Sequence, residues 1–391
     1  MNRLNKTFLI LTVTVATKVA LVAKSAFFGD PPDNHHPWAV HDHNRPSPPV
    51  VTPAAKIAQP PSDAIVLFDG TEASFHDNWR HDRPADEREQ DWIVVEGALQ
   101  SMRGAGKLSS IAELGDLQLH IEWRAPTKIV GKGQGRGNSG VFLMGGMVEV
   151  QVLDNYKNPS YADGTAGAVY GIMPPAVNAL RPSGEWQSYD IIFRRPIARD
   201  GVILDHGSLT VLLNGVVVQD NTPLEGGSGH KKRKRLDRIF PELGALMLQD
   251  HGNPVRFRNI WYRPLRPRAL DGGTDGRLSE ESTLTKRSEI AEELRQHART
   301  LEGQPKALRL LESLKYEEDA GARAEADNLI ALYVAKLKKI APLKMEDEKK
   351  QVLSLDEALQ YMHRYKLIPN DYPIRSYVND LAIQQGWKAD K

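Results

Sequence analysis

Glu149, Gln151 and Asp154 fall close together in the run Val148-Glu149-Val150-Gln151-Val152-Leu153-Asp154. Two carboxylates so near in sequence are raw material for acid/base chemistry, one giving a proton while the other takes one. Held about 5 Å apart, such a pair would also suit double displacement at a glycosidic bond. A second polar set stands at Gln249-Asp250-His251-Gly252, where an imidazole can exchange protons near neutral pH. Its plain alternative is a polar turn between strands. Arg258 could polarise a carbonyl, although Arg256 and Arg258 could simply form ion pairs on an outer strand face.

These residues need elements to aim them. The stretch 137–154 reads as a β-hairpin, two runs of branched and aromatic residues joined by Gly145-Gly146. Alternation puts Val148, Val150 and Val152 on a core face and Glu149, Gln151 and Leu153 on the other. A two-residue turn would pair Phe142 with Glu149, Gly140 with Gln151 and Asn138 with Leu153. Asn138, Gln151 and Glu149 would then surround a gap left by Gly140, with Phe142 beside it, a surface suited to a sugar-sized ligand. Asp154 falls on the opposite face from Glu149 unless the strand carries a bulge.

The chain has 391 residues, a formal net charge of +1 and no cysteine. Disulfides, thiolate metal sites and a cysteine nucleophile are excluded, and the overall charge gives no pull toward nucleic acid or membrane. Residues 1–26 read as an export signal or N-terminal anchor, with Arg3 and Lys6 ahead of an apolar run and small residues at Ala23, Ser25 and Ala26. An exported, periplasmic or envelope location follows, with membrane contact only through that segment if it is retained. Residues 27–62, rich in Pro, His and Asp, read as a disordered linker, and the cluster His35, His36, His41 and His43 lacks a rigid element to make it a metal site.

Across residues 63–266 short alternating runs are broken by Gly, Pro, Asn and Asp, the pattern of an antiparallel sandwich or barrel. One segment departs from it: His230-Lys231-Lys232-Arg233-Lys234-Arg235 is a basic loop that reads as a solvated surface, with capacity for polyanions. Residues 278–391 change to helical periodicity, with Leu329, Ile330, Tyr333, Val334 and Leu337 on one face, a capping box at Ser354 and Glu357, and a last helix opening at Tyr372-Pro373. This α-helical appendage carries no chemical motif, which leaves packing or contact with a protein partner.

Several pieces in order, Leu67-Phe68-Asp69-Gly70, Asn138-Ser139-Gly140-Val141-Phe142, Glu149 to Asp154, Gly184-Glu185-Trp186, Leu213-Asn214-Gly215, Leu248 to Gly252 and Val255 to Ile260, resemble the 3-keto-disaccharide hydrolase family over about half the chain. The resemblance implies a mainly β fold, a concanavalin A-like jelly-roll sandwich of two antiparallel sheets with the ligand on a concave face. Gln187 departs from the Asn usual in that family, and the basic loop is an insertion. The run from Glu149 to Asp154 is also similar to the Glu-x-Asp-x-x-Glu strand of jelly-roll glucanases, with Gln151 replacing the middle acid.

A 3-keto sugar has an acidified proton on C2. One base can remove it while an acid protonates the leaving oxygen on C1, and water then adds back. On this reading Glu149 or His251 is the base, and the other, or Asp154, is the acid. Asn138, Gln151 and Gln249 hold hydroxyls, and Arg258 or a bound divalent cation polarises the ketone. Trp261 reads as core, while Trp186, on a Gly-flanked loop, could stack on a sugar face. A non-catalytic, lectin-like carbohydrate-binding module on the same fold is the alternative, and a structural surface protein using its helical tail is a third reading.

Overall fold

The computed structural model describes residues 26–389. The expected export signal therefore lies almost entirely outside the described residues, and within them no helix is long and apolar enough to cross a membrane. The described residues divide into two compact units, a β unit over residues 48–271 and a helical unit that combines residues 26–47 with residues 272–389.

In the β unit the described strands are β1 (Ile65–Phe68), β2 (Trp79–His81), β3 (Ile93–Val95), β4 (Ala98–Gln100), β5 (Leu108–Leu114), β6 (Leu117–Arg124), β7 (Ser139–Leu143) and β8 (Val148–Val152). They continue as β9 (Gln187–Arg194), β10 (Ile197–Arg199), β11 (Val202–Asp205), β12 (Ser208–Leu213), β13 (Val216–Pro223), β14 (Gly244–Leu248) and β15 (Arg256–Pro264). One sheet runs β13-β12-β9-β6-β15-β4-β3, with β1 also paired to β15, and a five-stranded sheet runs β2-β5-β14-β7-β8. All pairings are antiparallel, and β10 with β11 forms a separate ribbon.

Period-two alternation builds the sandwich. In β6, Leu117, Leu119, Ile121 and Trp123 are buried inward, and in β8 Val148, Val150 and Val152 do the same. These join Tyr189, Ile191 and Phe193 of β9 and Leu246 and Leu248 of β14 in one core between the sheets. The short connections show their chemistry. Glu96-Gly97 and Asn214-Gly215 link β3 to β4 and β12 to β13 with both residues at positive φ, the mirror-image turn that suits strand twist. The mainly β, two-sheet antiparallel architecture with C-terminal helices matches the expectation from sequence at that level.

Residues 27–62, expected as a disordered linker, are ordered and shared between the units. Phe27 and Ala39 are buried. Asp33 and Asp42 bond backbone N–H groups of His35, His36, Ala39 and Asn44 at 2.7–3.0 Å, and Asn44 donates to Glu312 at 2.6 Å. Further along, the Ala58 carbonyl accepts from Asn259 at 2.8 Å and from the Trp261 indole at 3.0 Å. Side chains of Asp and Asn supply the bonds that a segment without periodicity cannot get from a ladder. His35 bonds the Leu278 carbonyl, and His36 pairs with Asp33. Among the described residues no group of three or more His, Cys, Asp or Glu side chains gathers to hold a metal.

Short α1 (Glu72–Asn78) belongs to the β unit; the helical unit contains α2 (Glu280–Ala298), α3 (Gly303–Ser313), α4 (Ala320–Leu337), α5 (Lys349–Arg364) and α6 (Pro373–Gln384). Ile330, Tyr333, Val334 and Leu337 are buried as the periodicity predicts, and α6 opens at Pro373 directly after Tyr372. The predicted capping box at Ser354 is not one. Helix α5 already begins at Lys349, so Ser354 lies inside it.

Candidate active site

The candidate site is built on the outer face of the five-stranded sheet. Leu143 pairs with Val148, Phe142 with Glu149 and Gly140 with Gln151, so the predicted register is the observed one. The turn differs, because Met144 to Met147 form a four-residue loop rather than a two-residue one, with Met144, Gly145 and Gly146 at positive φ. On the other side of β8 the chain returns as an extra strand-like segment. Gln151 N–H donates to the Ala168 carbonyl and Tyr170 N–H to the Glu149 carbonyl, both at 3.0 Å. Met247 pairs with Phe142 and with Ser109. Two rows thus cross the sheet: Ser109, Met247, Phe142, Glu149 and Tyr170, and two residues further along each strand, Lys107, Gln249, Gly140, Gln151 and Ala168.

The rows floor a cavity of 520 Å³ whose lining includes Lys107, Asn138, Phe142, Glu149, Gln151, Tyr170, His230, Lys234, Gln249 and His251. Its volume is that of a small-ligand site. Gly140 is where it is for a reason of space. A Cβ there would lie 2.5 Å from Glu149 Oε1 and 2.7 Å from the Phe142 ring. The gap foreseen beside Gln151 is thus occupied by the Glu149 carboxyl itself.

Glu149 is 8% exposed. Burial disfavours its anion and pushes its pKa up to about 8, against a smaller opposing pull from the Lys107 ammonium. Its carboxyl is thereby a proton donor at neutral pH. Lys107 Nζ sits 4.1 Å from the centre of the Phe142 ring. Gln151 donates to Asn138 Oδ1 at 3.1 Å, and Asn138 donates to the Gln134 carbonyl at 2.8 Å, a chain that fixes both amides. The Tyr170 hydroxyl meets Tyr161 at 2.9 Å and His230 Nδ1 at 2.8 Å. Burial and the Tyr161 hydroxyl raise the Tyr170 pKa.

Gln249 N–H donates to the Gly140 carbonyl, which ties the Gln249-Asp250-His251 segment to β7. Asp250 accepts from Gly252 N–H at 2.7 Å, so the segment is a polar turn and also carries His251, exposed, to the cavity wall.

Three residues expected in the site lie elsewhere. Asp154 follows β8, whose pairing with β7 contains no bulge. Asp154 is held by Arg136 at 2.8 and 3.0 Å and by the Ser183 hydroxyl at 2.6 Å, and it does not line the cavity. Trp186 and Arg258 stand on the outer face of the other sheet, lining a separate cavity of 570 Å³. Arg258 lies 3.9 Å from the Trp186 ring and donates to Glu122 at 2.6 Å, so neither is free to serve the Glu149 site. Trp261 is buried as expected, but from the outside, stacked on His120 at 5.3 Å. Gln187, the departure noted from sequence, is buried and accepts from Arg181 N–H at 2.9 Å and Asn214 at 2.7 Å.

Lys107, Tyr161, Tyr170 and His230 were not legible as site residues. Lys107 and Tyr170 reach the cavity through the pairing of their segments with other strands, and Tyr161 and His230 through hydrogen bonds to the Tyr170 hydroxyl. The one local hint is the basic loop: its composition suits a solvated surface, yet His230 and Lys234 line the cavity.

A two-sheet β unit with a polar cavity on one outer sheet face, centred on a protonated carboxyl, has the make-up of a carbohydrate site. The chain belongs to the family of 3-keto-alpha-glucoside-1,2-lyase-like domains, whose model matches residues 63–263. Among solved structures it is similar to one from Parabacteroides distasonis, provisionally described as a glycosyl hydrolase, at 40% identity and a TM-score of 0.50, over 56% of this chain and 93% of that one. A second structure from the same organism, described in the same way, is 20% identical over 52% of this chain and 99% of its own, with a TM-score of 0.39. No curated protein matches the chain. The protein is a carbohydrate-active enzyme by family.

Proposed function

We propose that the cavity cleaves the glycosidic bond of 3-keto-glycosides by elimination followed by hydration. The observation that carries this reading is Glu149, a buried carboxyl that keeps its proton at neutral pH in a cavity lined by amides and rings. Glu149 serves as the acid that protonates the departing oxygen on C1. His251 serves as the base that takes the proton from C2. The C2–H and C1–O bonds break, C1=C2 forms, and the aglycone leaves as an alcohol. Water then returns a hydroxyl to C1 and a proton to C2. Lys107 takes the role first given to Arg258, stabilising negative charge on the ketone oxygen as the enolate forms. Asn138, Gln151 and Gln249 hold ring hydroxyls. An exported location belongs to the same reading, as does a protein partner for the helices.

The test is turnover of a 3-keto-glucoside by Glu149→Gln and His251→Ala. Glu149→Gln should lose turnover while still binding the sugar. Unchanged turnover in both variants would overturn the assignment. Binding without any turnover in the unaltered protein would favour the lectin-like alternative.

A further inference from the structure

The basic run from His230 to Arg235 has no part in the chemistry proposed above, yet it is built into the same site. Its root, Ser228, donates from its N–H to the Met147 carbonyl at 2.9 Å, and its hydroxyl accepts from Glu149 N–H at 2.9 Å. The residue at the root of the run is thus bonded to the strand that carries the acid. Gly227, at φ +93°, presses so close that a Cβ would lie 2.4 Å from the Met147 carbonyl oxygen. Gly226 would place a Cβ 2.1 Å from the Arg235 carbonyl, which pins the run's exit against its entry. His230 stacks on Tyr170 with rings 9° apart and shares a hydrogen bond with it. The Lys234 stem packs over Gly229, its Cε 2.8 Å from where a Cβ would stand.

Charge then gives the run a purpose. Among the residues lining the cavity, the ammonium groups are Lys107 and Lys234, the imidazoles His230 and His251, and the only carboxyl Glu149. Glu149 is neutral near pH 7, so the two ammonium groups have no opposing anion in the cavity. Arg235, outside the lining, is paired with Asp237. A neutral sugar would gain little from two unmatched cations in a cleft, whereas an anion would be drawn in and held. We infer that this site selects glycosides bearing an anionic group, a carboxylate or a sulfate ester, placed against Lys234 and His230. The inference rests on the glycoside reading given above.

The experiment uses the full chain and two readouts. In the first, 3-keto-glucosides with a glucose, a glucuronic acid or a glucose sulfate aglycone are compared by kcat/KM. An anionic aglycone should be favoured by about tenfold, the scale of one charged hydrogen bond. The preference should collapse in Lys234→Ala, survive in Lys234→Arg, weaken in high salt and be unaffected by Lys232→Ala. Which of the two anions is preferred distinguishes carboxylate from sulfate. In the second readout, calorimetry compares unoxidised neutral, uronic acid-containing and sulfated disaccharides. Selective, salt-sensitive binding of an anionic disaccharide that Lys234→Ala removes supports the inference even if no 3-keto-glycoside is turned over, and in that case the reaction assignment alone fails. Equal affinity for neutral and anionic disaccharides, or indifference to Lys234→Ala, overturns the inference and leaves the reaction assignment standing wherever the neutral substrate is cleaved.

Discussion

Glu149 and Gly140 form a single device, a carboxyl folded back over a residue that has no side chain. In the unfolded chain Glu149 ionises near 4.5, whereas in the fold it holds its proton until about pH 8. Between those values the unfolded chain binds fewer protons, so the contribution of this residue to stability falls as pH rises from 4.5 to 8 and then levels off. Glu149→Gln removes that dependence. Its stability relative to the parent should therefore climb across this window, by a few kcal/mol from the size of the shift. Denaturant midpoints at several pH values measure it, and parallel curves for the two proteins would refute a proton-holding carboxyl. Activity carries the same signature, since an acid must be protonated: the parent should lose turnover above about pH 8. Gly140→Ala tests the space. Its methyl must displace the Glu149 carboxyl and the Phe142 ring, side-chain atoms rather than backbone. Stability should fall by about 1–3 kcal/mol, as overpacking does, while turnover falls more than that loss of folded protein explains.

Strand β8 and the residues just after it do two jobs. In its middle it presents Glu149 and Gln151 to the cavity, and just past its end it hands Asp154 to Arg136 and Ser183. Asp154→Ala strands a largely buried guanidinium, and losing one partner of such a pair costs about 3–5 kcal/mol. Chemical denaturation should show that loss while turnover per folded molecule stays at the parent's value; a selective loss of turnover would return Asp154 to the chemistry. The bulge that would have linked Asp154 to Glu149 is absent, and sequence could not decide this because the strand ends at Val152, leaving no further alternation in which a shift of phase would show. What alternation did show was the valine face of β8 and, through the Gly-Gly turn, the pairing of Phe142 with Glu149. Family motifs added Gln249 and His251. Lys107 and Tyr170 stayed hidden because their partners, Leu248 beside Leu108 and Val150 beside Val169, lie far along the chain or outside regular strands. Trp186 and Arg258 were misplaced for a related reason. Their local sequence marks strand ends, but nothing local says which of two sheets a strand will enter.

At the scale of the whole molecule, a net charge of +1 conceals a cavity whose lining holds two ammonium groups and a single, buried carboxyl. Composition also concealed how the chain is shared out. The β unit and the helical unit each enclose a core of their own, one around Trp123, Tyr189 and Phe257, the other around Leu311, Ile330, Leu355 and Met362. Separate cores permit separate cooperative transitions. The second core is completed by a residue from the other end of the sequence. Phe27 packs edge-on against Tyr361 at 5.8 Å, and the Ala26 carbonyl beside it accepts from the buried Lys315 ammonium at 2.6 Å. Burial disfavours the charge on Lys315 and lowers its pKa, which makes that backbone acceptor the more valuable. Phe27→Ala empties an aromatic site and should destabilise the helical unit by about 3–5 kcal/mol. Calorimetry of the full chain should then show one transition moved to lower temperature and the other unmoved, with glycoside turnover as in the parent. If both transitions move together, the units melt as one body, and if neither moves, the segment around Phe27 does not hold the helical core closed.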